Sequence, residues 1–280
     1  MQILHTVGEL RAWSRAARAA GKTVGLVPTM GALHAGHASL MRAARSRCDQ
    51  VAVSIFVNPT QFGPNEDYAR YPRTFEKDCA LADREGVDLV FAPAVDELYP
   101  HGAVTFVEVD GLSDRLDGQS RPGHFRGVAT VVAKLFIAAE ADRAFFGQKD
   151  AAQVSVLRRM VRDLRMATEL VVCPIVREPD GLALSSRNVY LSPEERTQAR
   201  ALSRALNTVE DLVGHGQRNS ATLVEAAEVV LGAEPLVRVD YIAVVDWETL
   251  EPVESAAPGT LFAIAAWVGA TRLIDNTLLA

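Results

Sequence analysis

The chain has 280 residues, 49% hydrophobic and 23% charged, which is typical of a globular protein and excludes one that is mainly disordered. Its 35 acidic and 29 basic residues leave a net charge of -6, so no overall basic excess drives nucleic-acid binding. Cys48, Cys79 and Cys173 are too widely spaced for a disulfide framework or a CxxC metal site. Because neither a leader pattern nor a long apolar run is visible, we expect a cytoplasmic protein without a membrane partner.

The first half alternates strand-like and helix-like stretches. Short apolar runs rich in β-branched residues predict strands at Val24–Val27, Val51–Val57, Val87–Phe91, Val104–Val109, Arg143–Phe146 and Glu169–Cys173. Helix-period stretches at 37–47, 126–139 and 151–164 lie between some of them. This alternation predicts an α/β fold, a Rossmann-like parallel sheet covered by helices, with ligands at the carboxyl ends of the strands.

The pattern changes after Pro174. Ser192, Pro193 and Glu195 form a capping-box signature, and two helical stretches follow at 194–213 and 220–232. Strand-like runs at 237–245 and 260–267 come next, with a surface loop at 214–219. We therefore expect two domains, 1–175 and a smaller α+β domain at 176–280 that acts as a lid.

The loop after the first of these strands, residues 27–44, is the most informative segment. Gly31 permits a tight turn, and Gly36 lets a ligand approach the backbone where a helix begins. The free N–H groups and the dipole of a helix start favour phosphate binding. The glycine spacing matches neither the GxGxxG fingerprint nor the GxxxxGK[ST] loop.

His34 and His37 lie three residues apart at this helix start, so both imidazoles can reach one point. A metal site would need a third ligand, and the segment holds no Cys, Asp or Glu. The pair can instead be structural, or it can donate to a departing pyrophosphate, which we favour.

Three further polar clusters follow predicted strands or lie in loops. Asn58 and Gln61 suit a hydroxyl or carboxylate, although an ordinary turn would also explain them, and Tyr71 and Arg73 could line the same opening. Lys149 can contact phosphate, while Asp150 can cap a helix or bind a ribose; Gln153 lies in the same helix start. Ser185, Ser186 and Arg187 form a small phosphate clamp that would be a weak signal alone.

Arg121, His124 and Arg126 precede the buried helix at 126–139. Either arginine could bind a carboxylate or pair with an acidic neighbour. The residues leave this choice open.

In this order, VPTMGALHAGH (27–37), SIFVNPTQF (54–62), YPRT (71–74), RPGHFRGV (121–128), FFGQKD (145–150) and LSSRN (184–188) closely resemble the pantoate–β-alanine ligase family. The resemblance spans essentially the whole chain. It implies a nucleotidyltransferase-type fold related to class I aminoacyl-tRNA synthetases, a homodimer, and a two-step reaction that uses ATP, Mg²⁺, pantoate and β-alanine.

The resemblance also implies roles for individual residues. ATP would bind Met30, Gly31, Ala32, Leu33, His34, Ala35, Gly36, His37, Gly147, Gln148, Lys149, Asp150, Val176, Leu184, Ser185, Ser186 and Arg187. Pantoate would bind Gln61 and Gln153, with Gln61 also near β-alanine. The implied catalytic residues are His37, His34, Lys149 and Arg187, with His37 as proton donor.

Two positions differ from the commonest family pattern. Gln148 replaces a frequent glutamate and Leu184 a frequent methionine, and both changes look tolerable. Asp78 is a candidate magnesium ligand, although phosphates and water can supply most of the coordination. An adenylyltransferase that stops after one transfer and a nucleotide-binding sensor remain the alternative functions.

Overall fold

A computed structural model describes residues 1–64 and 66–280 of the chain, without the side chain of Asp67. Its larger sheet is parallel, with strand order β1-β4-β3-β2-β5-β6 among the described residues. The strands are β1 Gln2–Leu4, β2 Val24–Thr29, β3 Gln50–Ile55, β4 Leu89–Phe91, β5 Arg143–Gly147 and β6 Glu169–Cys173. The predicted α/β class is confirmed.

Helices cover both faces of this sheet, since its strands are apolar on both sides. They are α1 Val7–Ala19, α2 Ala35–Arg45, α3 Phe75–Arg84, α4 Val95–Leu98, α5 Asp117–Ser120, α6 His124–Ala139 and α7 Ala151–Asp163. Short 3₁₀ helices span Pro59–Gln61, Asp67–Ala69, Gln148–Asp150 and Ser186–Tyr190. In the part of the chain described, no helix is long and apolar enough to cross a membrane.

The smaller sheet is antiparallel, with β7 Val237–Val245, β8 Leu261–Val268 and β9 Thr271–Leu278 in that order. Helices α8 Pro193–Ala199, α9 Ala201–Gly214 and α10 Ser220–Gly232 pack against it in a second core. Val245, Leu261 and Ala263 of this sheet instead join the core of the larger sheet. The two parts of the chain therefore share apolar packing at their boundary.

The predicted capping box at α8 is confirmed. Ser192 N donates to the Glu195 carboxylate at 2.7 Å, and Glu195 N donates to Ser192 Oγ at 3.2 Å. Because α8 ends at Ala199 and α9 begins at Ala201, the stretch predicted as one helix at 194–213 is two helices.

The strand predicted at Val104–Val109 is wrong. Within the described chain this segment has no strand partner; Val107 N donates to Thr130 Oγ1 of α6 at 2.9 Å instead. Val104 and Phe106 remain exposed. Alternating β-branched residues are insufficient for a strand when the segment does not pair with a sheet.

Other differences concern short or terminal elements. The strand predicted at Val51–Val57 ends at Ile55, and the one at Val87–Phe91 is reduced to Leu89–Phe91. The sequence pattern does not predict β1 or β9. β1 has only three residues, and β9 contains no run of more than two apolar residues.

Candidate active site

The loop between β2 and α2 is built so that its histidines face a cavity. Gly31 and Ala32 adopt positive φ angles of 79° and 50°, which turn the chain sharply after Met30. The buried carboxylate of Asp78 on α3 accepts hydrogen bonds from Ala32 N (3.0 Å) and Leu33 N (2.8 Å). This carboxylate therefore fixes the turn that leads into α2.

Thr74 Oγ1 also donates to Asp78, at 3.0 Å, and Asp78 is only 2% exposed. These contacts assign it a structural role in the loop. Its predicted role as a magnesium ligand stays a prediction. Among the described residues, no group of three or more His, Cys, Asp or Glu side chains could hold a metal ion.

His34 and His37 lie together at the start of α2, with ring centroids 4.2 Å apart. Gly36 N donates to His34 Nδ1 at 3.1 Å, and His34 N donates to His37 Nδ1 at 3.3 Å. Since each Nδ1 accepts a hydrogen bond, the neutral ring carries its proton on Nε2. Each imidazole therefore retains an Nε2–H donor.

Burial, together with a smaller contribution from the Lys149 ammonium, lowers the pKa of His34 to about 4. Burial also lowers the pKa of His37 to about 3, with smaller contributions from His34 and Lys149. Both rings are thus neutral near pH 7 in the free protein. They act there as hydrogen-bond donors rather than as cations.

Gly36 is required by the close approach of the His34 ring. A Cβ at this position would lie 2.9 Å from His34 Cε1 and 3.0 Å from His34 Nδ1. The same Cβ would lie 3.7 Å from the Cβ of Leu184, so the loop after β6 faces this helix start directly.

The turn after β3 carries the two amides that the sequence predicts to bind a hydroxyl or carboxylate group of a substrate. Asn58 Nδ2 donates to Gln61 Oε1 and to the carbonyl of Gly127, each at 3.1 Å. Gln61 Nε2 donates to Met30 Sδ at 3.0 Å, which links this turn to the histidine loop. Asn58 therefore orients the Gln61 side chain, as expected for a turn held by its own side chains.

Arg121 and His124 support the same turn. Arg121 makes a paired salt bridge with Glu66 (2.8 and 2.6 Å), and its Nη1 lies 3.0 Å from His124 Nε2. His124 Nδ1 donates to the Gln61 carbonyl at 2.9 Å, and burial lowers the pKa of His124 to about 4. Arg121 thus pairs with an acidic neighbour, while Arg126 stacks on Phe106.

Lys149 and Asp150 lie in the 3₁₀ helix between β5 and α7. Their charged groups are 3.5 Å apart, and the Lys149 side chain is 20% exposed. Asp150 makes no side-chain capping bond to α7, so the structural alternative considered for it is not observed. Gln148 points elsewhere, and its Nε2 donates to Asn276 Oδ1 at 3.3 Å.

The loop after β6 closes the opposite side of the cavity. Leu184 N donates to the carbonyl of Val176 at 2.9 Å, and Ser185 Oγ accepts from Arg187 N at 3.2 Å. Arg196 of α8 binds the carboxylates of Glu178 and Asp180, at 2.8 and 2.9 Å. The helix that the capping box begins therefore anchors the part of this loop that carries Glu178 and Asp180.

These loops enclose a cavity of about 240 Å³, which adjoins another of about 740 Å³ that is lined in part by the smaller sheet. Lys149, Asp150, Gln153, Ser185 and Arg187 line both. The smaller cavity is also lined by Met30, His34, Gly36, His37, Gln61, Tyr71, Gly147, Val176, Leu184 and Ser186. Most of the residues predicted for the site are therefore brought together.

Some predicted residues do not line the cavity. Gly31, Ala32, Leu33 and Ala35 supply the backbone of the first loop. Arg73 donates to the carbonyls of Tyr68 and Tyr71 and so braces the loop beside the opening. Their direct contact with a ligand stays a prediction.

Sequence reasoning missed the contribution of β9. Asp275 and Asn276, each 2% exposed, contact the loops after β6 and β5. The available signal was a run of three polar residues, 275–277, inside an otherwise apolar terminal segment, LIDNTLL.

Comparison with known proteins agrees with this geometry. The family model for pantoate–β-alanine ligase matches residues 2–278. The chain belongs to the pantoate–β-alanine ligase family. This confirms the resemblance inferred from the six sequence segments.

Relatives in this family are similar over their full lengths. A pantothenate synthetase of Koribacter versatilis is 58% identical over 279 residues, covering 100% of this chain and 96% of the relative. A crystal structure of the pantothenate synthetase from Thermus thermophilus is 49% identical, with a TM-score of 0.94 and 99% of each chain covered. The Francisella tularensis pantoate–β-alanine ligase, described as complexed with β-γ ATP and β-alanine, is 34% identical, with a TM-score of 0.81 and coverage of 99% and 97%.

Proposed function

We propose that the chain condenses pantoate with β-alanine at the expense of ATP, giving pantothenate, AMP and diphosphate. The observation that carries this proposal is the convergence of His34, His37, Lys149 and Arg187 on one cavity that also contains Gln61. The four side chains suit a triphosphate, and the amide suits an organic acid or its hydroxyl groups. Family membership supports the same activity.

The first step activates the acid. A carboxylate oxygen of pantoate attacks the α-phosphorus of ATP, an O–P bond forms, and the bond to diphosphate breaks. Lys149 and Arg187 stabilise the charge on the departing diphosphate, and the Nε2–H groups of His34 and His37 donate to its oxygens. Gln61 and Gln153 orient pantoate so that its carboxylate lies in line with the leaving group.

The second step captures the activated acid. The amine of β-alanine attacks the acyl carbon of pantoyl adenylate, a C–N bond forms, and AMP leaves with the former acyl oxygen while the amine loses a proton. No covalent bond to the protein is required. We propose that the 176–280 region, through the loop Val176–Arg187, covers the cavity and excludes water from the reactive adenylate.

The donor set fits magnesium that arrives with the nucleotide. Asp150 is the acidic side chain among the described residues that line the smaller cavity. A single carboxylate suits an ion held mainly by phosphate oxygens and water, with Asp150 as the carboxylate that the described cavity lining would offer it. When bound, the ion would neutralise phosphate charge.

We further propose a homodimer located in the cytoplasm. The exposed apolar side chains of Val104, Phe106 and Ile137 support self-association. Light scattering coupled to gel filtration measures the oligomeric state, and a mass of one chain at micromolar concentration would contradict the dimer.

The function is tested by mass-spectrometric detection of pantothenate from ATP, pantoate and β-alanine, with each substrate omitted in turn. We expect pantothenate only in the complete mixture, and AMP release that depends on β-alanine. An adenylyltransferase would transfer AMP without requiring the amine, and a nucleotide sensor would show no pantoate-dependent diphosphate release. Either result would refute the ligase assignment.

A further inference from the structure

The last strand of the smaller sheet holds the turn that carries Lys149. Asn276 Nδ2 donates to the carbonyl oxygens of Gln148 (3.1 Å) and Lys149 (2.9 Å). Its Oδ1 accepts from Gln148 Nε2 at 3.3 Å. Both donor hydrogens and the acceptor of this 2% exposed amide are thus directed at one 3₁₀ turn.

Asn276 is not among the residues that line either cavity, whereas Lys149 lines both. The amide therefore acts on the backbone of the turn and not on a ligand. The Lys149 ammonium lies at the end of four rotatable bonds, so its position depends on a fixed Cα. A turn that shifts by about 1 Å moves the charge away from the phosphates, and displacements of this size cost about 10²-fold in rate.

The neighbouring residue, Asp275, anchors the loop after β6 to the same strand. Asp275 binds Arg177 through two hydrogen bonds of 2.6 and 3.0 Å, and Arg177 follows Val176 at the cavity wall. Asn276 N donates to the Asp275 carboxylate at 2.9 Å. Two adjacent side chains of β9 therefore connect the loops after β5 and β6.

We propose that Asn276 is a positioning residue for the adenylation step, because it holds the Gln148–Asp150 turn and thereby places the Lys149 ammonium against the triphosphate. The proposal rests on the proposed function. It means that a residue of the smaller domain positions a group that acts in the first half-reaction.

The test uses Asn276→Ala and the isosteric Asn276→Asp, which replaces the donor with a carboxylate oxygen facing two carbonyl oxygens. Single-turnover release of diphosphate from saturating ATP and pantoate measures the first step. Conversion of isolated pantoyl adenylate by β-alanine measures the second. We expect the first rate to fall by about 10- to 100-fold and the second to change by less than about twofold.

Thr277→Ala is the matched control, since Thr277 is the next residue of β9 and its hydroxyl contacts Glu210 rather than the turn. It should leave both rates as in the wild type. Circular dichroism and thermal unfolding show whether each variant is folded. If Asn276→Ala is not recovered folded, Asn276→Asp supplies the comparison.

A double-mutant cycle separates positioning from a general structural effect. If Asn276 acts through Lys149, Asn276→Ala should lower the rate of the first step by less than about twofold when Lys149 is already replaced by alanine. Equal losses in both half-reactions, additive losses in the cycle, or a wild-type first step would each overturn the positioning role while leaving the ligase activity in place. A wild type that makes no pantothenate would overturn both proposals.

Discussion

The buried histidines predict that the protein loses stability as the pH falls below about 6.5. His34, His37 and His124 have pKa values lowered by burial to about 4, 3 and 4 in the folded chain, against an ordinary 6.5. Between these limits the unfolded chain binds more protons than the folded one. The free energy of unfolding therefore rises with pH in this window and is lost on acidification.

The magnitude follows from the size of the differences. One proton bound only by the unfolded state gives a slope of about 1.4 kcal/mol per pH unit. Because all three rings keep some exposure to the cavity or to solvent, we expect about 1 kcal/mol per pH unit from each between pH 6 and 5. His37→Gln should therefore flatten the pH dependence by about 1 kcal/mol per unit.

Urea unfolding of the nucleotide-free protein at pH 7.0, 6.0 and 5.0 measures the effect. Glutamine retains an oxygen that can accept from His34 N but does not titrate. His101→Gln is the matched control, since His101 is exposed and does not line either cavity. If the free energy of unfolding of His37→Gln changed with pH as steeply as that of the wild type, the assignment of a neutral, buried imidazole to His37 would be refuted.

Further predictions concern the loops that we propose to bind phosphate. Lys149→Ala should slow diphosphate release about 10²-fold or more, whereas the exposed Lys22→Ala should not, and a wild-type burst in the first variant would contradict its assignment. Gly36→Ala places a methyl group against the His34 ring and should weaken ATP binding at least about tenfold by calorimetry, with unchanged affinity as the opposing result. Asp78→Asn turns one acceptor into a donor facing backbone N–H groups and should lower the free energy of unfolding by about 1–3 kcal/mol; equal stability by urea unfolding would exclude this.

The sequence predicts most elements whose pattern is local. The α6 stretch is apolar almost all round and is mostly buried, and the Ser192 capping box marks the start of α8 within one residue. β1 cannot be predicted because a segment of three residues is too short to show a periodic pattern of hydrophobic residues. The 104–109 segment shows the opposite case, since it has a strand-like composition but pairs with no strand among the described residues.

The candidate site divides in the same way. His34, His37, Gln61 and Lys149 could be predicted because each follows a strand of a parallel sheet, whose carboxyl ends meet at one edge. Asn276 contacts Lys149 across 127 positions of sequence, and no local pattern encodes such a contact. Long-range support for a site is therefore the part that sequence reasoning loses.

The charge balance of the cavity explains why neutral histidines suit this chemistry. The low pKa values of His34 and His37 are caused by burial and by the nearby Lys149 ammonium, so the free site keeps its positive charge on Lys149 and Arg187 and at the start of α2. A bound triphosphate is strongly anionic, and nearby negative charge raises the pKa of an imidazole. Nucleotide binding therefore opposes the Lys149 contribution to the low pKa of both rings, which is smaller than the contribution of burial. In the proposed mechanism the imidazoles are hydrogen-bond donors before ATP arrives, and negative charge on the departing diphosphate makes them easier to protonate when a proton donor is needed.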